Sequence, residues 1–464
     1  LNFYFLSALN DNHLINLPYR ILDLNIQHQH ENMEIISNLA MEYSPQSHTH
    51  FLTDSNPQDF LWDLRELYIS WYLDFGEIRL GKQIHTWGSV DENSPIDVVN
   101  AFDYYYLFFQ GADRKIGSYS AAIDIYLNDW KLGAVLSPYH HTNRVPVNDP
   151  EFPIRLPIVP QEYQIYPIEK VPIEYGAFIE YSHDYGDVRL SYFNGYDRTF
   201  NLSGINAFQR TNSNDIPTGD AKIDTVFSYR KTKMVGLGGT LLFGDLILRN
   251  DFGYFYSYDI NKSVERDFFP TNSNYNTIYS ETVDSTNTWR ATFPFKENVE
   301  YFQNILQVEY GLPWDITIVS QIFLSDTIQY NYTYYGLDTL KLGNIADTID
   351  VDPSKLFSPG MGTPLAALTK KSLTLSLEKT FLEDQLKINL MTMIDLHDPS
   401  DEKNLKLWGR LIGLTAEYEL TQDMNIIAGL TQIRGDENHP LGEAYRFNHM
   451  EDFSHLRFEL KYSF

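Results

Sequence analysis

The sequence predicts an all-β fold, a transmembrane antiparallel up-and-down β-barrel of about 18 strands, with about 16 as the alternative count. Three observations support this prediction. The stretch from Phe453 to Phe464 alternates apolar and polar residues. Segments of about ten alternating residues recur along the chain, joined by connections that are alternately short and long. Aromatic residues make up 15% of the chain, which is typical of barrels with aromatic girdles at both lipid interfaces.

The C-terminal stretch has the pattern of a strand that closes a barrel. Leu456 and Phe458 fall on one face, whereas Arg457 and Glu459 fall on the other. We expect residues 1–9 to form the first strand and to pair with this closing strand. We also expect the barrel-assembly machinery to bind the closing strand through its aromatic end. The chain begins without a charged or apolar leader, as expected of a mature chain whose signal peptide has been removed.

Turn chemistry indicates where the predicted strands end. Short connections rich in Gly, Asn and Asp are typical of tight hairpins. They lie near the following residues: His30, Gly76, Asn128, Asp184, Gly244, Pro313, Glu383 and Thr421. The long connections are residues 10–20, 45–62, 88–116, 139–172, 196–223, 259–297, 329–371, 397–404 and 435–452. Residues 223–243 are long enough to be split, so the alternative count stays open.

The two faces of the predicted strands differ as a membrane wall requires. In residues 173–182, Tyr175 and Ile179 fall on the apolar face, opposite Glu174 and Glu180. The polar faces carry acids and bases, which predicts a hydrated lumen. Two packed sheets would instead need apolar inner faces.

Composition excludes several classes of protein. The mean hydropathy is -0.34, and no apolar run approaches the roughly 18 residues of a membrane helix. The net charge of -27 argues against a nucleic-acid partner, because phosphates would be repelled. The absence of cysteine excludes disulfides and thiolate sites. No composition shift marks a second domain, so residues 1–464 are predicted to form one barrel.

Strand parity selects polar residues that are expected to face the lumen. Their mixture of charges suits the passage of small polar solutes, and acids outnumber bases, which favours cations. The same charges can instead pair across neighbouring strands and hold the barrel in shape. The candidate pore-lining residues are Glu66, Glu77, Arg79, Gln83, His85, Asp124, Glu174, Arg189, Arg249, Asp251, Arg457 and Glu459.

The third long connection, residues 88–116, is the candidate constriction of the pore. In many porins this loop folds into the lumen; the alternative is an outer loop that packs on the barrel rim. Its tyrosines are either a stacking surface for ring-shaped solutes or anchors at the lipid interface. The candidate constriction residues are Asp91, Asp97, Asp103, Tyr104, Tyr105 and Tyr106.

A family resemblance rests on the same region. Arg79–Gly88, RLGKQIHTWG, is followed by NSPIDVVN. This pattern resembles a family of Gram-negative porin-like proteins with an Arg-x-Gly-x-Gln-x-x-x-Trp-Gly strand end and then an Asn/Pro/Asp stretch. Residues 229–255 and 414–430 resemble the mid-barrel and closing hairpins of that family. The resemblance implies an outer-membrane channel and does not imply a substrate.

Metal and catalytic sites have little support in the sequence. The histidine pairs His48/His50 and His140/His141 lack further ligands at the spacing of a zinc site. Residues 347–352 and 395–402 are dense in carboxylates and are candidate loop sites for Ca²⁺. Neither a nucleophile elbow nor a phosphate loop is present, so no enzyme and no cofactor is predicted.

The predicted function is passive diffusion of small polar solutes across the bacterial outer membrane, with a mild preference for cations. One alternative is a transporter of a hydrophobic compound. Another is a scaffold barrel that docks a surface protein. Outer-membrane lipid is the expected environment, and a homo-oligomer or a surface-protein partner is left open.

Overall fold

The structure of the protein is a computed structural model. It describes residues 1–45, 60–108, 113–146, 149–154, 160, 165, 168, 171–211, 217–260, 288–332, 354, 357–398 and 406–464.

Twenty-three strands are present in the described ranges. In chain order they are β1 (Asn2–Ala8), β2 (Tyr19–His30), β3 (Met33–Tyr43), β4 (Phe60–Leu73), β5 (Gly76–Gln83), β6 (Ala101–Phe102), β7 (Lys115–Ile116), β8 (Ser118–Leu127), β9 (Trp130–Ser137), β10 (Glu174–His183), β11 (Gly186–Tyr196), β12 (Asn201–Thr211), β13 (Pro217–Ser228), β14 (Lys231–Phe243), β15 (Leu246–Tyr258), β16 (Thr288–Pro294), β17 (Asn298–Leu312), β18 (Ile316–Asn331), β19 (Lys371–Phe381), β20 (Leu386–Asp395), β21 (Arg410–Thr421), β22 (Met424–Arg434) and β23 (His455–Tyr462).

Eighteen of these strands form one antiparallel sheet, which confirms the predicted count and shows that 16 is wrong. Ladders join each barrel strand to the next from β2 round to β23. β23 then pairs with β1, with Phe458 opposite Phe5. Within the described chain no ladder joins β1 to β2, and Ser7 of β1 instead forms a β-bridge with Leu14 in the connection that follows β1. The barrel is therefore closed except for this seam.

The five remaining strands lie in the long connections. β12, β13 and β16 form a three-stranded sheet, and β6 pairs with β7. The stretch 223–243 is indeed split, because β13 ends at Ser228 and β14 begins at Lys231. Only β14 belongs to the barrel. The break falls at Arg230, whose guanidinium is buried beside Glu297.

The short turns all fall where the sequence predicts them, between paired strands. Backbone angles explain their composition. Gly244 has a φ of 61° and Asn128 a φ of 51°, in the left-handed region that these two residue types tolerate best. At these two hairpins the turn chemistry therefore helps to set the register.

The outer face of the barrel is apolar along its middle. Exposed aliphatic side chains lie at alternate positions halfway along the strands: Leu67, Ile69, Leu80, Leu190, Leu237, Leu306, Leu390, Leu414, Leu430 and Leu456. Exposed aromatic side chains lie near the short turns: Trp71, Trp130, Tyr181, Tyr185, Phe243, Tyr310, Trp314, Phe381, Tyr418 and Tyr462. A second exposed group lies towards the long connections: Trp62, Tyr119, Tyr139, Tyr175 and Tyr332.

The inner face is less polar than the sequence suggested, because part of it is covered by apolar packing. The predicted hydrated lumen is therefore restricted to the cavities that this packing leaves. Large apolar side chains on the inner face are buried, and they are Val135, Phe178, Phe193, Met234, Phe255, Tyr301, Ile305 and Phe323. They are covered by chain from the long connections, which supplies Trp87, Ile96 and Met361 to the same cluster. Alternation detects a wall but does not show what packs against its inner side.

A second apolar cluster lies among the long connections. It joins Leu6 of β1, Tyr105, Phe152 and Phe447, together with side chains of β20 to β22. Short helices support it at Tyr104–Tyr106, Pro364–Ala367, Gly442–Ala444, Arg446–Met450 and Glu451–Phe453. None of the helices in the described chain is long and apolar enough to cross a membrane.

The pairing of β1 with β23 predicts a specific crosslink. The double variant Phe5→Cys/Phe458→Cys should oxidise to a disulfide, because directly opposed residues have Cα atoms about 4.5–5.5 Å apart. Electrophoresis of the folded protein under non-reducing conditions measures the crosslink. In the control Phe5→Cys/Leu460→Cys the pair is diagonal, at about 7–8 Å, and should stay reduced. Equal crosslinking of both pairs would contradict the register.

Candidate functional site

Residues 84–106, here called the infolded segment, run along the inside of the barrel wall. The side chain of Asn100 forms hydrogen bonds with the backbone both before and after this segment. Its side-chain oxygen accepts from His85 N at 2.7 Å, and its Nδ2 donates to the carbonyl oxygens of Gln83 at 3.1 Å and Ile116 at 2.8 Å. His85 Nε2 also lies 3.0 Å from Ser120 Oγ on β8. The segment is thus fastened to the strands at its base.

Asp251 on β15 holds the middle of the infolded segment. Its Oδ2 accepts from the backbone N of Ser89 at 2.8 Å and of Val90 at 3.0 Å. Asp251 is 0% exposed. Unpaired backbone donors inside a barrel would be costly, so this carboxylate stabilises the loop where it leaves regular structure.

Two glutamines contact the backbone of Asp91. Gln307 Oε1 accepts from Asp91 N at 3.0 Å, and Gln321 Nε2 donates to the carbonyl oxygen of Asp91 at 3.0 Å. Gln307 Nε2 also donates to the Asp91 carboxylate at 2.6 Å. These contacts position an acid whose side chain is 60% exposed.

Apolar contacts hold the rest of the infolded segment to the wall. The Trp87 ring lies edge-on to Phe178 and Phe193, with ring centroids 5.6 and 6.2 Å away. Ile96 fills the space beside Gly238, where an added Cβ would lie 2.8 Å from Ile96 Cδ1 and 2.4 Å from Asp251 Oδ1. A side chain at position 238 would therefore displace Ile96 or the Asp251 carboxylate, and glycine avoids this collision.

The three tyrosines form a buried 3-10 turn, which corrects the idea of a stacking surface or of lipid anchors. Tyr105 is 0% exposed, and its hydroxyl donates to Asp149 at 2.7 Å. Tyr104 and Tyr106 are buried as well, and Tyr104 OH accepts from Asn143 at 3.3 Å. The turn is part of the apolar cluster among the long connections. Arg20 lies over the Tyr106 ring, 4.1 Å from its centroid, at the edge of a cavity.

Asp103 at the start of this turn belongs to a buried ion network. Arg144 donates to Asp103 at 2.9 Å and to Glu42 at 2.6 Å. Burial raises the pKa of the Asp103 carboxyl, although the charge of Arg144 opposes this. The sixth constriction candidate, Asp97, pairs with Lys115.

Three cavities lie beside the infolded segment in the part of the chain that the structure describes. The Asp124 cavity, about 300 Å³, is lined by Glu77, Arg79, Asp124 and Lys131. The Arg457 cavity, about 580 Å³, lies beside the seam and is lined by Arg20, Arg65, Arg457 and Glu459 among others. The Asp91 cavity, about 410 Å³, lies between the infolded segment and the inner faces of β17 to β22.

The candidate pore-lining residues fall into two groups. Some form ion pairs that line or adjoin the cavities. These are Glu77 and Asp124 with Arg79, Arg457 with Glu459, Arg249 with Glu309 at 2.7 Å, and Arg189 with Glu180.

The others hold chain segments in place. Gln83, His85 and Asp251 do so as described above. Glu66 accepts from Ile84 N at 2.8 Å, and Glu174 pairs with Arg198 at 2.8 Å. Gln83, His85, Glu174 and Asp251 are all buried. Of these four, His85 also lines the Asp124 cavity. The pore-lining role of the candidates stays a prediction.

Sequence reasoning missed several residues of these cavities. Gln321 and Asn389 line the Asp91 cavity and carry no charge, so charge does not mark them as lumen residues. Their strand parity alone identifies them. Leu365 and Phe447 lie in long connections, where no periodicity predicts a position.

A buried ion cluster links the long connections at the end of the strands. Arg230 pairs with Glu297 and lies 3.9 Å from Asp259, while Thr232 Oγ1 donates to Asp197 at 2.5 Å. Burial raises the pKa of Asp197 to about 6 and the pKa of Asp259 to about 6, against the charge of Arg230. Four ionisable groups therefore share a site with little water.

Within the described ranges, no three His, Asp or Glu side chains are grouped as a metal site. The candidate Ca²⁺ residues 347–352, and 399–402 of the second candidate, lie outside those ranges, as does the pair His48/His50. Asp395 is buried and accepts from Thr369 and Tyr445, both at 2.5 Å. His140 lies 2.9 Å from Glu174.

Comparisons with known proteins give structural likeness only. No family model and no curated protein matches the chain. The outer membrane protein opdK from Pseudomonas aeruginosa is similar over 99% of this chain and 96% of its own, at 8% identity and a TM-score of 0.49. A BenF-like porin from Pseudomonas fluorescens Pf-5 covers 99% and 95%, at 10% identity and a TM-score of 0.47.

A third similar structure is Pseudomonas aeruginosa OccK2 (OpdF) in complex with glucuronate, covering 99% and 94% at 10% identity and a TM-score of 0.45. Likeness at this level transfers no solute and no site residue. The barrel architecture rests on the strand ladders of the chain itself. Membership of the porin-like family suggested by the Arg79–Gly88 pattern stays a prediction.

The buried ion cluster predicts that the free energy of unfolding depends on pH, and Asp197→Asn should reduce this dependence. A raised folded-state pKa gives stability that is present below the unfolded value of 3.8 and is lost as the pH rises through about 6. Relative to the variant, the wild-type free energy of unfolding should therefore fall by up to about 3 kcal/mol between pH 4 and 7. Urea unfolding in detergent measures it.

The matched control is Glu437→Gln, a change at an exposed acid of a long connection. Its unfolding free energy should follow that of the wild type at every pH. Parallel curves for Asp197→Asn and the wild type would contradict the assignment.

Proposed function

We propose that the protein is an outer-membrane channel for the passive diffusion of small solutes, narrowed by the infolded segment. One observation carries the proposal: a segment fastened inside the barrel, at Asp251 and at Asn100, leaves a cavity of about 410 Å³ beside it. Chain that crosses a lumen sets the width of the path, and its side chains select what passes.

The outer surface supports the membrane location. Aliphatic side chains cover the middle of the wall, and exposed aromatic residues lie towards both ends. Barrels in a bilayer present such an apolar band between two aromatic girdles, because the outward side chains contact lipid. Lipid is therefore the proposed surrounding of the wall, and binding of β23 by the assembly machinery remains a prediction.

A mild preference for cations follows from the Asp91 cavity. Asp91, Glu92, Glu309 and Glu378 line it, and Arg114 is the one base among its lining residues in the described chain. Carboxylates along a path favour cations. The Arg457 cavity carries more bases, so the preference requires that ions take the path beside Asp91.

One observation favours a solute with apolar character. The side of the Asp91 cavity towards the long connections is lined by Phe108, Leu365, Met393 and Phe447. A transporter of a hydrophobic compound is therefore kept as the second candidate. In that case ion conductance would be near zero.

Planar-bilayer recording tests the proposal. Purified protein should carry current, and in a KCl gradient the reversal potential should have the sign of cation preference. The double variant Asp91→Asn/Glu378→Gln should lose most of that preference, because two lining charges are removed. Glu437→Gln should leave it unchanged. Anion selectivity of the wild type would contradict the cation assignment, and a total lack of current would contradict the channel.

The close packing of Ile96 predicts a change of conductance in Gly238→Ala. The added methyl collides with Ile96 and with Asp251, so the infolded segment should shift off the wall and alter the single-channel conductance. Gly413→Ala is the matched control on β21, since its Cβ would meet nothing nearer than Met391 Cε at 3.9 Å. Identical conductance in both variants would show that the segment does not set the path.

A further inference from the structure

The Asp91 cavity has two chemically different sides. Polar residues from the infolded segment and from β17 to β20 lie towards the short turns, and they include Asp91, Glu378 and Asn389. Apolar residues lie towards the long connections, and they include Phe108 and Phe447. Sites of this size usually bind one small molecule, with a few polar groups that fix its orientation.

Asn389 on β20 has an unused acceptor. Its Nδ2 donates to Ser376 Oγ at 3.0 Å and lies 3.4 Å from Glu378 Oε2. A carboxylate only accepts, so the amide nitrogen must face Glu378, and this fixes which atom is the oxygen. Within the described chain Asn389 Oδ1 has no hydrogen-bond partner, and the residue is 6% exposed. A buried acceptor without a donor costs free energy that a donor-bearing ligand recovers.

The infolded segment contributes a second unused acceptor to the same cavity. Asn93 Nδ2 donates to Gln321 Oε1 at 3.4 Å. Its Oδ1 is buried and has no partner among the described residues. Both unused atoms are acceptors, so the missing group is a hydrogen-bond donor.

The charges around the cavity favour a positive donor. Arg114 pairs with Glu92, Arg249 with Glu309, and Lys387 with Glu378 at 2.8 Å. Asp91 is the remaining acid, and its nearest base is Arg249 at 3.4 Å. Four acids thus face three bases, which leaves one negative charge in excess. A carboxylate solute would meet acceptors and net negative charge, whereas an ammonium meets complementary groups.

The apolar side requires more than a simple ion. Phe447 and Met393 are buried beside Leu411, and Phe108 and Leu365 approach from the other connections. An apolar group that is buried there strengthens binding in proportion to the apolar surface area that it removes from water. The aromatic rings also attract a cation that lies over their faces.

We propose that the Asp91 cavity binds an organic ammonium with an apolar body, such as a small arylalkylamine. The ammonium lies towards Asp91 and Asn389, and the apolar body lies against Phe447 and Phe108. The claim that such an ammonium crosses the barrel rests on the proposed channel function. The claim that it binds in the cavity does not.

Isothermal titration calorimetry on the full chain in detergent tests the proposal with phenethylamine as the probe. Phenethylammonium should bind at least about tenfold more tightly than phenylacetate, which reverses the charge, and than ethylammonium, which lacks the ring. Asn389→Leu should weaken phenethylammonium binding by about tenfold through loss of the acceptor. Asn389→Asp should strengthen it by roughly threefold through the added charge.

Asn425→Leu is the matched control. Asn425 also lies on a barrel strand and donates to a glutamate, Glu417 at 3.0 Å, but it does not line the cavity. It should leave the affinity unchanged. Equal or tighter binding of phenylacetate, or unchanged affinity in both Asn389 variants, would overturn the proposal. Amine binding without bilayer current would contradict the proposed channel function but support the amine site. Bilayer current without amine-selective binding would support the channel function but contradict the amine site.

Discussion

The Asp251 carboxylate accepts two hydrogen bonds from the backbone of the infolded segment inside the barrel. The shape of the lumen depends on this contact. An irregular segment brings unpaired N–H and C=O groups wherever it leaves regular structure. Ser89 and Val90 find their acceptor in Asp251, and Asp91 finds donor and acceptor in Gln307 and Gln321. Because these hydrogen-bond partners are side chains of barrel strands, the segment is bound to one side of the wall. The cavities are the part of the lumen that the segment does not fill.

The same constraint explains why the inner wall is partly apolar. A segment held by hydrogen bonds still has to exclude water from them, and Trp87 and Ile96 do so by packing on Phe178, Phe193 and Met234. Charges that become buried in this way need partners, as with Arg198 beside Glu174 and Arg230 beside Glu297. Polar and apolar contacts therefore hold the infolded chain together.

The sequence alone predicted the wall well, because turn chemistry and alternation are local signals. Each short turn and the pairing of β1 with β23 follow from them. The interior was harder to predict, since parity places Asp251 and Glu174 on the inner face but does not show what covers them. The tyrosines at 104–106 show the same limit, because their burial depends on partners such as Asp149 in another connection. Asn389 required the three-dimensional structure, since its unused oxygen is defined by neighbours on β19.

A cryo-EM map of the full chain in lipid nanodiscs would show whether Asp251 holds the infolded segment inside the barrel. We expect density for residues 84–106 inside the barrel, with the backbone N of Ser89 and Val90 at hydrogen-bond distance from the Asp251 carboxylate. We also expect an open cavity between Asp91 and Asn389. Density that places this segment above the rim, with Asp251 facing open solvent, would show that Asp251 does not hold the segment and that the segment does not narrow the lumen.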